Sequence, residues 1–153
     1  AELKDELMGY GADFVVTDDD YGKNEAVEII GKDRVSLAIN AVGGDSALRI
    51  MSLLSEGGTH ITYGAMAKRP LKIPNSFLIF KDLRIQGLWL SKWLDSTNPQ
   101  VMETVYGKLA EMMLHEKLHQ PIDSIFRPED IKSAIKRSME TGRNGKVLLD
   151  FNC

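Results

Sequence analysis

The sequence predicts an α/β fold with a mostly parallel sheet. Short apolar runs bounded by glycines and acids alternate with segments of helical spacing, the pattern of strand–helix units. One run, Val35 to Val42 (VSLAINAV), is nearly all apolar, as expected of a parallel strand covered on both faces. Glycine pairs follow directly on these segments, at Gly43-Gly44 and Gly57-Gly58, and break them.

In chain order, Leu3, Leu7 and Met8 have helical spacing, and Gly9 and Gly11 end that helix. Ala12 to Thr17 (ADFVVT) predicts a first strand and Asn24 to Ile30 a short helix stopped by Gly31. Val35 to Val42 is the second strand. Asp45 or Ser46 caps the next helix, whose buried face is Leu48, Met51, Leu53 and Leu54. Thr59 to Gly64 is a third strand. Pro70 and Pro74 keep the following connection irregular, and Asn75 to Asp82 predicts a short apolar helix capped by Asn75 or Ser76. Leu83 to Leu90 (LRIQGLWL) is a fourth strand, with Trp89 and Trp93 near its end. Asn98 caps a long helix with Pro99 at its first position, running to about Leu118. Ile122 to Phe126 is extended. Pro128 opens a helix on which Ile131, Ala134, Ile135 and Met139 share a face, and Val147 to Phe151 is a last strand.

Composition narrows the function classes. The 153 residues carry 19 Lys+Arg against 22 Asp+Glu, a net charge of -3, without the basic blocks of a nucleic-acid binder. At 43% hydrophobic and 27% charged the chain is ordinarily globular, with one domain as the default. It has no run of eighteen apolar residues to span a membrane. Its one cysteine, Cys153, rules out a disulfide framework and a multi-thiolate zinc site. The first eight residues carry acids and lack an apolar stretch, so they read as mid-helix rather than a signal or transit peptide. The expectation is a fragment or a processed chain.

In open parallel sheets ligands bind beyond the carboxyl ends of the strands. That places interest on two turns, Ala41-Val42-Gly43-Gly44 and Tyr63-Gly64-Ala65-Met66, where glycine lets backbone approach a flat ligand. The ordinary explanation of the first is a tight strand-to-helix turn, and Asp45 disfavours phosphate there. Tyr63, Met66, Trp89 and Trp93 have an ordinary explanation as packing at strand ends. His115-Glu116-Lys117-Leu118-His119 matches HExxH, in which two histidines one helical turn apart bind zinc. Pro121 places that pattern on a fraying helix end, and a solvated face explains it better. Lys146, after Gly145, is ordinarily a solvated lysine that can also meet a ligand phosphate. No Ser/His/Asp or Cys/His constellation is present.

Together, INAVGG (Ile39 to Gly44), THITYGAMAK (Thr59 to Lys68), FLIFKDLRIQGLWLSKW (Phe77 to Trp93) and GKVLLDF (Gly145 to Phe151) resemble the medium-chain dehydrogenase/reductase superfamily. Within it the chain is most similar to mitochondrial trans-2-enoyl-CoA reductases. The resemblance covers nearly the whole chain and implies its C-terminal part only. Residues 1–121 would be a partial Rossmann nucleotide-binding domain, and 122–153 a C-terminal segment returning toward the substrate domain.

It further implies an NADPH-dependent oxidoreductase of mitochondrial fatty-acid synthesis. Hydride would go to the β-carbon of an enoyl-CoA or acyl-carrier-protein thioester, and the parent would be a homodimer joined through the strand at Leu83–Leu90. By motif match, Tyr63, Gly64, Ala65 and Met66 would hold the nicotinamide end of NADPH. Leu88, Trp89 and Leu90 would line the cleft, Lys146 would reach the cofactor, and Asn40, Val42 and Gly43 would form the adjoining strand end. The family has no catalytic zinc.

The family's proton-donating tyrosine, glycine-rich pyrophosphate turn and 2′-phosphate readers match no position here, so no catalytic residue is assigned. In a sheet ordered 3-2-1-4-5-6, Ala12 to Thr17 is strand 3 and Val35 to Val42 is strand 4, with two strands expected between them. The chain is therefore expected to pair with those segments on another polypeptide, to rearrange, or to self-associate through exposed edges. The alternatives are a quinone-oxidoreductase-like reductase, a non-catalytic nucleotide-binding or interaction module, and a zinc hydrolase built on HEKLH.

Overall fold

The alternation of strands and helices is present in a computed structural model describing residues 2–32 and 34–151; Cys153 lies outside the described residues. Two units are distinguished, Ala1–Met102 and Glu103–Cys153.

The first unit opens with α1 (Glu2–Gly9). Ala12 to Thr17, expected as a strand, is irregular. A strand needs a ladder partner for its backbone, and among the described residues no other strand pairs with this segment. Asp19 then caps α2 (Asp20–Ile30), its carboxylate accepting from the Gly22 N–H at 2.7 Å and the Thr17 hydroxyl at 2.9 Å. That cap starts the helix earlier than its apolar spacing indicated.

Three parallel strands follow in the order β1-β2-β3: Val35–Asn40, Leu54–Thr62 and Arg84–Gly87. The register sets Asn40 beside Thr62 and Thr62 beside Gly87, so the three carboxyl ends share one rim. Helix α3 (Gly44–Leu53) crosses back over the sheet. Its Ala47 and Met51 meet Ala38, Leu54 and Leu83 in the core, with Ile50, Phe77 and Ile85 around them. Burial of Met51 or Leu54 contributes roughly 1.5–3 kcal/mol each.

Several expectations are corrected here. Leu54 is in the core but opens β2 rather than closing α3. Neither Asp45 nor Ser46 caps α3. Gly43, at φ +82°, is its N-cap without a side-chain bond, a conformation glycine adopts cheaply. The β1 strand is covered on one face only, by α3; Leu37 and Ile39 on the other are 52% and 57% exposed. Its apolar character on that face is left about half exposed, beside Phe14, Val16 and Ile30. The fourth strand stops at Gly87, because the chain turns into α5 (Leu90–Ser96) at Trp89. Between β2 and β3 lies α4 (Asn75–Ile79), preceded by Pro74 as its cap.

Helix α6 (Pro99–Leu114) runs across the boundary between the units, with the Asn98 carboxamide oxygen accepting from the Gln100 N–H at 2.8 Å. It ends at Leu114, short of Leu118, because Glu116 takes φ +54°. In the second unit β4 (Ile122–Phe126) pairs parallel with β5 (Lys146–Leu149). The 3-10 turn Pro128–Asp130 leads into α7 (Ile131–Met139), which packs on both strands through Ala134. Asp123 receives two bonds from the Arg137 guanidinium, at 2.7 and 2.5 Å, and one from the Asn144 N–H at 3.1 Å. This fork ties β4 to α7 and holds the Asp123 carboxyl far below the usual carboxylate range.

Candidate functional site

Parallel strands put their free carboxyl ends together, and the rim of β1, β2 and β3 is built around Asn40. Its side chain is buried, and its oxygen accepts from the Val42 and Gly43 N–H groups at 3.1 and 2.7 Å. Its amide donates to the Ser46 hydroxyl at 3.2 Å. Asn40 thus closes the β1–α3 turn through both ends of its side-chain amide.

The ladder continues past the strand ends. The Tyr63 N–H donates to the Asn40 carbonyl at 3.0 Å, that of Met66 to Ala41 at 3.1 Å, and that of Leu88 to Thr62 at 2.9 Å. Gly64 lies so close to β1 that a Cβ there would meet the Ala41 carbonyl oxygen at 2.6 Å. Glycine at 64 is a condition of this backbone crossing.

Outside that crossing lies an open cleft of about 650 Å³, lined by Thr62, Tyr63, Gly64 and Ala65 from the end of β2, Gly87, Leu88 and Trp89 from the end of β3, and Lys92, Trp93 and Ser96 from α5. Trp89 caps α5 and is 71% exposed. The Trp93 backbone N–H returns to the Trp89 carbonyl at 3.1 Å, setting the two residues one turn apart on a short helix. A Cβ on Gly87 would meet no atom within 4 Å, so the glycine leaves room in the cleft rather than serving the protein's own packing.

The structure thus gathers five of the residues assigned to the cofactor by motif match, Tyr63, Gly64, Ala65, Leu88 and Trp89, together with Trp93. Met66 and Leu90 are exposed beside the cleft without lining it. Val42 and Gly43 face a separate polar cleft of about 380 Å³ with Asp18, Asp45, Arg49 and Arg69. There each cation is already paired, Arg49 with Asp18 at 2.9 Å and Arg69 with Asp45 at 3.6 Å. Lys146 opens β5 in the second unit, its N–H bonded to the Pro121 carbonyl at 2.8 Å. Sequence reasoning missed Thr62, Gly87, Lys92 and Ser96. Gly87 falls inside the strand predicted over Leu83–Leu90 rather than at its end, and Lys92 and Ser96 depend on α5, which the apolar run LRIQGLWL conceals.

The HEKLH pattern does not form the geometry zinc needs. His115 follows the last helical residue and Glu116 is left-handed, so 115–119 is a turn without the one-turn spacing of two ligands. Among the described residues no cluster of three or more His, Cys, Asp or Glu is placed to hold a metal ion.

The family described as zinc-binding dehydrogenase matches residues 10–149. The human mitochondrial enoyl-[acyl-carrier-protein] reductase is 35% identical over 150 residues, 97% of this chain but 40% of that protein. A mutant form of enoyl thioester reductase from Candida tropicalis superposes with a TM-score of 0.77 at 24% identity, covering 98% of this chain and 43% of that one. The structure of an Etr1p/NADP/crotonyl-CoA complex superposes at 0.79, also at 24% identity and with the same coverage. These likenesses show the fold, and the chain spans about two fifths of the length of its curated relatives.

Proposed function

The chain belongs to the zinc-binding dehydrogenase family, and from that premise we propose that it supplies the carboxyl-terminal part of an NADPH-dependent 2-enoyl thioester reductase of mitochondrial fatty-acid synthesis. The observation that carries this reading is the cleft at the carboxyl ends of β2 and β3, with Gly64 beneath it and the open position of Gly87 on its wall.

The residues fit a flat ring. Tyr63, Gly64, Ala65 and Met66 hold the nicotinamide end, and Leu88, Trp89 and Leu90 offer apolar and aromatic surface beside it. Asn40, with Val42 and Gly43, positions the turn on which the Tyr63 segment rests. Lys146 is assigned to the cofactor by resemblance alone. When bound, NADPH supplies the hydride that adds to the β-carbon of the enoyl thioester. This chain's part is to bind and orient that ring and to exclude water from one side of it. No proton donor is assigned among its residues, and the family's named zinc finds no fitting ligand set among those described. Residues 122–153 belong, in this reading, with the substrate domain. The edge of β3, free of a further strand among the described residues, joins two copies as a homodimer.

The test is NADPH oxidation by the protein as its gene encodes it, with crotonyl-CoA and a quinone offered separately. Turnover of crotonyl-CoA is expected. Turnover of the quinone alone, or of neither, contradicts the assignment.

A further inference from the structure

Among the residues lining the cleft, Lys92 is the one charged side chain, and nothing in the fold uses its charge. Lys72 and Lys81 of the same unit are engaged, the first pairing with Asp45 at 3.4 Å and the second donating to the Ser52 and Leu54 carbonyls at 3.2 and 2.6 Å, so what distinguishes Lys92 from the unpaired surface lysines is its place on the cleft wall. Lys92 has no carboxylate within ion-pair distance among the described residues. It sits on α5 between Trp89, one turn before it, and Trp93, its immediate neighbour, both lining the same cleft. Lys92 is itself exposed on the cleft wall, so its ammonium can meet a ligand without first leaving a buried partner. The remaining walls offer hydroxyls, glycines and aliphatic carbon, with no anion to answer it.

We propose that Lys92 determines ligand choice in this cleft by binding a phosphate ester. A lysine ammonium is a compact point charge suited to a tetrahedral phosphate. The inference rests on the reductase reading for the identity of the phosphate's owner, which is either the thioester's coenzyme arm or the dinucleotide. It requires only that the cleft admit one of them.

The experiment titrates the protein as its gene encodes it with CoA and, separately, with NADPH. Tryptophan emission is followed in wild type, Lys92→Gln and Lys92→Arg. At low ionic strength, Lys92→Gln is expected to weaken one of the two ligands by about threefold to tenfold, with Lys92→Arg retaining most of the affinity. The difference should shrink in high salt, and thermal unfolding should stay at the wild-type temperature. A loss confined to CoA places the phosphate on the substrate arm, and one confined to NADPH places it on the cofactor. Wild-type affinity for both ligands in Lys92→Gln overturns the proposal, as does a wild type that binds neither. Failure of the reductase reading is separate: CoA binds in a Lys92-dependent way, yet crotonyl-CoA drives no NADPH oxidation.

Discussion

His60 enters the core with neither ring nitrogen hydrogen-bonded, between Ala38 and Ile85 in the register of the sheet. Burial lowers its pKa, because the charged ring would lose its hydration. The unfolded chain therefore takes up a proton that the folded one resists. Stability from this source is full above about pH 6.5 and falls as pH drops below it, levelling only beneath the lower folded pKa. His60→Met, which removes both unpaired atoms, is expected to stabilise by about 1–3 kcal/mol and to flatten the pH dependence. Urea midpoints between about pH 5 and 8 read both effects. Asp123 runs the opposite way. Its folded pKa is depressed, mainly by the Arg137 bonds, so its contribution is present above the unfolded carboxylate value and is lost in acid. Asp123→Asn should lower the unfolding temperature of the Glu103–Cys153 unit at neutral pH, and the difference from wild type should begin to narrow only below about pH 4. An unchanged neutral-pH melt contradicts the role given to the fork.

At the scale of elements, the two cleft glycines separate folding from binding. Gly64→Ala drives a methyl into the Ala41 carbonyl and should cost about 1–3 kcal/mol through displacement of the β1–β2 rim. Gly87→Val meets open space, so its melt should match wild type while NADPH affinity falls about tenfold or more, the chain holding and the cleft filled. Circular-dichroism melts beside NADPH titration distinguish the pair. These elements also show what a sequence can and cannot say. The turns at Gly43 and Tyr63-Gly64 were legible because glycine after an apolar run has few other uses. So was α7, whose residues Ile131, Ala134, Ile135 and Met139 carry a clear helical period. Ala12 to Thr17 was misread, since apolar spacing reports a preference for strand but not whether a ladder partner exists. The α5 helix was missed because Leu88, Trp89 and Leu90 extend an apolar strand pattern, and only the chain's turn at Trp89 ends it. The capping of α3 by Gly43 rather than Asp45 is a matter of backbone φ, which composition does not encode.

For the molecule as a whole, the informative surface is the uncovered side of β1. Leu37 and Ile39, with Phe14, Val16 and Ile30, border an apolar groove of about 510 Å³ along a strand that pairs on one edge only. An exposed apolar edge of this kind recruits other chains. The 153-residue polypeptide by itself is expected to self-associate, with sedimentation coefficients that rise with concentration, and Ile39→Lys should reduce that rise. A compact monomer at every concentration contradicts the expectation. The role proposed for the rim of β2 and β3 is to cradle the nicotinamide end of NADPH, and hydrogen exchange with and without NADPH, on the protein as its gene encodes it, reads it residue by residue. Exchange should slow at residues 63–66 and 88–90, with 115–119 unaffected. Binding of NADPH that leaves 63–66 and 88–90 exchanging at their free rates would contradict it.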